Sequence, residues 1–195
     1  LSQMTETGVN YANALADAQK QGFAEADPTN DVCGFDAARK LAILSSIGFR
    51  ANVTFDDVLV EGIEKIDKSD IQYAKDMGYT IKLLTVALRQ ENGIALNVYP
   101  AFLPDNHPLS SVKGAYNAIY VTGNIVDDVM FYGRGAGALP TASAVMGDVI
   151  STAQHILNGS TGTGMIMTDT KRIPFYSSLK LQNSYYFRLD VDDVT

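Results

Sequence analysis

Asn92-Gly93, set between a run of branched residues at 80–88 and a second apolar run at 94–102, is the strongest short hairpin signal in the chain. It commits the middle of the sequence to antiparallel strand pairing. Most of the sequence before residue 80 reads at helical spacing instead. Residues 1–22 place Tyr11, Ala14, Leu15 and Ala18 on one helical face, with Asn10 positioned to cap the helix and Gly22 to stop it. Pro28 holds Asp27 extended, so residues 23–34 read as an acidic loop. Residues 36–48, 55–66 and 69–77 read as further helices, the last with Ser69 as N-cap and Gly78 as stop. Beyond the hairpin, Pro100, Pro104 and Pro108 mark a loop. Residues 117–122 and 129–132 form a second strand pair, 141–157 a helix and 159–164 a flexible tract. Tyr185, Phe187, Leu189 and Val191 then alternate with polar positions as in a half-buried strand. Helices followed by hairpins predict an α+β fold, a mixed β-sheet with a layer of helices on one face.

The 195 residues suffice for one sizeable core. A formal net charge of −7 argues against a nucleic-acid partner. No apolar stretch is long enough to span a bilayer, and no secretory leader is present, so no membrane partner is expected. The single cysteine, Cys33, rules out an intrachain disulfide and fits a reducing cytoplasm. A chain that starts at Leu1 and stops just after a strand pattern is expected to be a piece of a longer protein.

The chemistry concentrates in "EADPTNDVCGFDAARKLAI", residues 25–43. Glu25, Asp27, Asp31 and Asp36 gather within twelve residues and are followed by Lys40. On a helical wheel from Asp36, an apolar stripe is drawn by Ala37, Leu41, Ile43, Leu44 and Ile47. Lys40 falls inside that stripe, between Ile47 and Leu44, with Asp36 one turn back as its i,i+4 partner. Two readings stand side by side. In one, the lysine snorkels to water and the carboxylates only favour the helix N-terminus. In the other, a partly buried ammonium exchanges a proton with a substrate oxygen, and the acidic loop receives a substrate ammonium.

"GRGAGALPTASAV", residues 133–145, follows a strand and opens a helix, but its spacing does not meet G-x-G-x-x-G and no βαβ unit follows. Its glycines permit close backbone approach, with a tight strand-to-helix turn as the plain alternative. No metal site is expected. The aspartates do not follow an EF-hand loop, and His107 and His155 lack a zinc-type partner set. Cys33, in acid-rich surroundings, is expected to have a raised pKa and to be inert.

Five stretches, in order, resemble the catalytic and dimerisation region of homoserine dehydrogenases: "GFAEADPTNDVCGFDAARKLAIL", "VEGIEKI", "DMGYTIKLL", "LPDNHPLSSVKGAYNAI" and "GRGAGALPTASAV". The resemblance covers most of residues 1–172. It implies a catalytic domain over 1–172, with 173–195 a linker and the first strand of a truncated C-terminal ACT-like regulatory domain. It further implies interconversion of L-homoserine and L-aspartate 4-semialdehyde with NAD or NADP, in a homodimer. By the same resemblance Lys40 relays a proton at the substrate oxygen, and Asp36 orients substrate or lysine. Glu25 binds the substrate amino group, Asp31 touches substrate, and Gly135, Ala136 and Gly137 touch cofactor. The N-terminal nucleotide-binding domain of such enzymes is missing, so the isolated chain is expected neither to hold a nicotinamide cofactor nor to turn over. An amino-acid-sensing or dimerisation module without catalysis is the alternative.

Overall fold

The structure, a computed structural model, describes residues 1–22, 24–161, 173–176, 182–189 and 191. Six helices fall among them: α1 (Ser2–Thr7), α2 (Tyr11–Lys20), α3 (Thr29–Val32), α4 (Phe35–Phe49), α5 (Lys68–Asp76) and α6 (Ala138–Leu157). The strands are β1 (Leu59–Val60), β2 (Tyr79–Gln90), β3 (Gly93–Pro104), β4 (Tyr116–Gly123) and β5 (Asp127–Arg134). The first sheet has the order β1-β3-β2, with β1 parallel and β2 antiparallel to β3. The mixed sheet with a helical layer is therefore as the sequence predicts, with β4 and β5 forming a separate two-stranded sheet.

Strand register decides which side chains meet the helices, because alternate residues face opposite ways. The pairs Ile81↔Phe102, Leu83↔Pro100 and Ala87↔Leu96 place Ile81, Leu83 and Ala87 on one face with Phe102, Val98, Leu96 and Ile94. Helix α4 covers one half of that face, where Ala38, Leu41 and Ala42 pack with Ile94, Leu96 and Val98. The other half is covered by Met4, Ala14, Ile71 and Ala74, from α1, α2 and α5, around Ile81. The second sheet is tied to the first through its connecting loop. Lys82 Nζ donates to the Val112 carbonyl, and the His107 ring lies 5.2 Å from that of Tyr120. His107 also caps the short turn Pro108–Ser111 by accepting from Leu109 N–H at 3.2 Å. It is thus a loop residue, as expected.

Several elements differ from the sequence reading. The N-terminal helix is two helices, broken at Gly8, whose φ of 69° ends α1; Asn10 does cap α2, accepting from Asn13 N–H at 2.9 Å. Residues 55–66 are not a helix. They form a single 3₁₀ turn, Phe55–Asp57, then β1 and a loop, because Glu61 N–H and Ile63 N–H are taken by Val98 O and Val32 O. The N-cap of α5 is Asp67, not Ser69; its carboxylate accepts from Ser69 and Asp70 N–H, and the Asp70 carboxylate returns a bond from Asp67 N–H. The hairpin closes through Glu91 and Asn92, one residue earlier than the Asn-Gly pair suggests, with Gln90 facing Gly93. A Cβ on Gly93 would overlap Pro174 O, and Phe175 bridges in parallel beside Ile94.

Tyr185, Phe187, Leu189 and Val191 join no strand among the described residues, and all four are exposed. The intervening residues make the contacts: Tyr186 stacks on Phe102 at 4.8 Å, and Tyr186 and Arg188 reach Asp70. Residues 162–164 of the expected flexible tract lie outside the described residues.

Candidate functional site

The acidic loop is built by short-range bonds. Asp27 accepts from both the N–H and the hydroxyl of Thr29, at 3.1 and 2.6 Å, which starts the single turn of α3 and lowers the Asp27 pKa. Gly34 then turns the chain with φ 79°, and α4 begins. Arg39 Nη1 donates to Asn30 Oδ1 at 2.9 Å, holding α3 against α4, while its guanidinium lies 5.4 Å above the Phe55 ring.

The loop is fixed from behind by the segment misread as helix. Ile63 N–H bonds Val32 O at 2.8 Å. A Cβ on Gly62 would overlap that same oxygen and stand 2.7 Å from Cys33 Cα, so only glycine fits. Cys33 Sγ donates to Glu64 Oε2 at 3.2 Å, and this bond, with desolvation and the neighbouring negative charge, raises the thiol pKa as anticipated. The partner that matters most, Glu64, was not foreseen. Gly62, inside an otherwise regular pattern, was the available signal of close backbone approach.

Asp36 and Lys40 come together, with Lys40 Nζ 2.7 Å from Asp36 Oδ2. Of the two readings, the partly buried ammonium is not what the structure shows: the Lys40 side chain is 69% exposed. Of the wheel's stripe only Leu41 is buried and Ala37 half-buried, and the centre of the stripe faces outward. Ala38, Leu41, Ala42, Ser45 and Ser46 are buried, whereas Ile43, Leu44 and Ile47 are open. Small side chains let the helix backbone approach the sheet closely, and the larger ones remain outside beside Lys40. Ile43 and Ile47, with Arg39, Ser46, Val53 and Phe55, line a groove of about 590 Å³ on this flank.

Glu25 and Asp31 are exposed on the loop. Glu25 is placed through its backbone, its carbonyl accepting from Gln19 Nε2 at 3.0 Å. Asp31 is placed through its N–H, which bonds Pro28 O at 2.9 Å. Neither carboxylate is joined to Lys40 by a hydrogen bond or ion pair. Among the described residues no cluster of three or more His, Cys, Asp or Glu has metal-binding geometry.

Gly135, Ala136 and Gly137 form the turn from β5 into α6. Gly137 is the N-cap of α6; no side chain caps that end, and its first turn holds no acidic residue. The side of Gly135 that lacks a Cβ faces Asn117 of this same chain. Uncapped backbone N–H groups at the start of a twenty-residue helix suit a polar or anionic edge of a cofactor.

A helix-covered mixed sheet carrying a lysine–aspartate pair beside a carboxylate loop defines an α+β domain with a polar surface site. The family model for homoserine dehydrogenase matches residues 1–150, and the chain belongs to that family. The Bacillus subtilis homoserine dehydrogenase is 46% identical over 166 residues, covering 85% of this chain and 38% of the relative. The crystal structure of a homoserine dehydrogenase from Thiobacillus denitrificans superposes with a TM-score of 0.84 at 38% identity, over 90% of this chain and 42% of that one. A hyperthermophilic archaeal homoserine dehydrogenase mutant in complex with NADPH superposes with a TM-score of 0.62 at 28% identity, over 78% and 43%. The chain spans about two fifths of the length of these relatives. No helix among the described residues is long and apolar enough to cross a membrane.

Proposed function

We propose that this chain is the substrate-binding and catalytic part of a cytoplasmic, homodimeric enzyme that interconverts L-homoserine and L-aspartate 4-semialdehyde with NAD or NADP. The reaction serves threonine, methionine and isoleucine biosynthesis. The observation that carries the reading is the 2.7 Å Asp36–Lys40 pair on the open face of α4, directly after the acidic loop.

Lys40 is the proton relay. It accepts the hydroxyl proton when homoserine is oxidised and returns a proton to the carbonyl oxygen when the semialdehyde is reduced. Asp36 holds the Lys40 head group on the substrate side of the helix. Glu25 and Asp31 receive the substrate ammonium, the one cationic group that homoserine presents. NAD or NADP, when bound, exchanges a hydride with the substrate carbon. Gly135, Ala136 and Gly137 hold the edge of that cofactor through backbone groups at the start of α6, and most of its binding falls to a domain outside this chain.

Two features support the wider reading. The second sheet leaves Ile119, Val121 and Phe131 open, and α6 has no buried residue, which suits a domain that pairs with a second copy. Residues 1–172 form the catalytic domain, and 173–195 lead into an ACT-like regulatory domain of which this chain carries the beginning.

The test is homoserine-dependent nicotinamide reduction by the whole protein and by its Lys40→Ala variant. Loss of roughly 10²–10⁴ in rate with unchanged melting supports the relay. A near-normal variant refutes it, and tight cofactor binding by the 195-residue chain alone refutes the division of labour.

A further inference from the structure

Asn117 is on β4, and Gly135 follows the last residue of β5. A Cβ built on Gly135 would overlap Asn117 Nδ2 and stand 2.7 Å from Asn117 Cγ. The exposed Asn117 amide therefore occupies the volume that a Cβ at position 135 would take, and a residue other than glycine there has to turn that amide aside. The grip extends to both sides. Gly135 N–H bonds Ala115 O at 3.3 Å. The Arg134 guanidinium lies 4.9 Å above the Tyr116 ring, and that ring is stacked at 4.9 Å on Tyr132, with the two planes 3° apart. Ala115 and the first two residues of β4 thus hold Arg134 and Gly135: a carbonyl holds the Gly135 N–H, a ring holds the Arg134 guanidinium, and an amide lies against the bare Cα of Gly135.

The grip ends where the chain leaves the sheet. After Gly135 come Ala136 and Gly137, and α6 starts with no side-chain cap. Asn117 meets the first residue of the turn, and the Pro140 ring stands 3.4 Å from the Cβ position of the third, Gly137. An Asn has the planar shape and length to press on a glycine Cα, whereas Ala leaves a gap above it.

We propose that Asn117 is the positioning residue of the glycine-rich turn. Its amide fixes the path of Gly135, Ala136 and Gly137 and so sets where the N–H groups of Ala136 and Gly137 point, that of Gly135 being held by Ala115 O. The consequence for cofactor rests on the reading given above, in which these three residues hold its edge.

The experiment is a double-mutant cycle in the whole enzyme, with Asn117→Ala, Gly135→Ala and the double variant. Amide hydrogen exchange over residues 133–140 and steady-state kinetics are both read. Asn117→Ala is expected to speed exchange at the turn. It should raise KM for the nicotinamide cofactor by up to about tenfold, the change that one lost contact commands, while KM for homoserine stays unchanged. Gly135→Ala should be the worse single variant in the native background and much milder beside Asn117→Ala, because its methyl enters the vacated volume. Additive effects on exchange overturn the proposal, since they show that the two side chains do not share space. Coupled exchange with an unmoved cofactor KM upholds Asn117 as the holder of the turn and removes Gly135, Ala136 and Gly137 from the cofactor site.

Discussion

Arg188 Nη1 stands 2.9 Å from Asp70 Oδ1, and this contact fastens the C-terminal stretch to the start of helix α5. Asp70 is 5% exposed, and its two oxygens serve three donors: Arg188, the Tyr186 hydroxyl at 3.0 Å and Asp67 N–H at 2.9 Å. Asp70→Ala removes the acceptor for all three and breaks the α5 capping box. It should cost about 2–4 kcal/mol, more than Arg188→Ala, because it removes the helix cap and the Tyr186 and Arg188 contacts together, Arg188 keeping only Asp67. Urea unfolding of both variants gives the comparison, and cleavage by chymotrypsin within 182–189 should quicken in each.

The same fastening is sensitive to acid. Burial pushes the Asp67 pKa upward, but the hydrogen bond from Arg188 and those from the Asp70 and Ser69 N–H groups outweigh it, and the net shift is downward. A carboxylate whose folded pKa lies below its unfolded value adds stability above the unfolded value, near 3.9, and loses it as pH falls through the folded one. The native chain should therefore lose stability below about pH 4 more steeply than Arg188→Ala, whose Asp67 lacks the partner. Melting temperatures across pH 2.5–6 (roughly the span over which an aspartate titrates) check this; parallel curves would contradict it.

Helix α4 invites a test of which face is inward. Ala42→Leu forces extra volume between helix and sheet and should cost about 1–3 kcal/mol. Ile43→Ser, on the open side, should change the stability of this chain by no more than about 0.5 kcal/mol. Chemical denaturation of the pair decides the matter, and a reversed order would restore the face suggested by the helical wheel.

Gly62→Ala should destabilise the chain by about 1–3 kcal/mol, because the new methyl meets the backbone of Val32 and Cys33 rather than a movable side chain. In the whole enzyme it should also raise KM for homoserine, since the same backbone carries the acidic loop. A variant that melts early but keeps its homoserine KM would separate loop placement from stability.

Cys33 should alkylate slowly at neutral pH. Glu64→Gln removes the negative charge that holds the thiol protonated and should bring the rise in alkylation rate to lower pH. Iodoacetamide kinetics against pH, followed by mass spectrometry, measure it.

These tests also mark where sequence reading succeeds and where it stops. The hairpin was legible because branched residues and an Asn-Gly pair are local signals. So were α4 and α5, whose periodicity is carried within one element. The inward face of α4 was not, since the wheel weighed hydrophobicity, while the sheet selected small side chains such as Ala38, Ala42 and Ser45 for close approach. Residues 55–66 looked helical by spacing, yet their N–H groups belong to Val98 and Val32, partners far away in the chain. The Tyr185–Val191 alternation was real, but the other set of side chains, Tyr186 and Arg188, makes the contacts. Lys40 and Asp36 were found because an i,i+4 pair is a local geometry. The Asn117–Gly135 contact crosses two strands and had no local sign.

The order of the layers has a consequence for synthesis. The inward residues of α4, Ala38 among them, rest on Ile94, Leu96 and Val98, which are translated roughly fifty residues later. At about 5–20 residues per second, α4 leaves the ribosome some seconds before its floor exists. During that interval its two sides are equally bare, and the nascent helix waits with its adhesive stripes uncovered. Hairpin β2–β3, whose partners are adjacent in sequence, closes within microseconds of emerging. It is the hairpin, arriving late but folding fast, that ends the exposure and fixes which side of α4 turns inward.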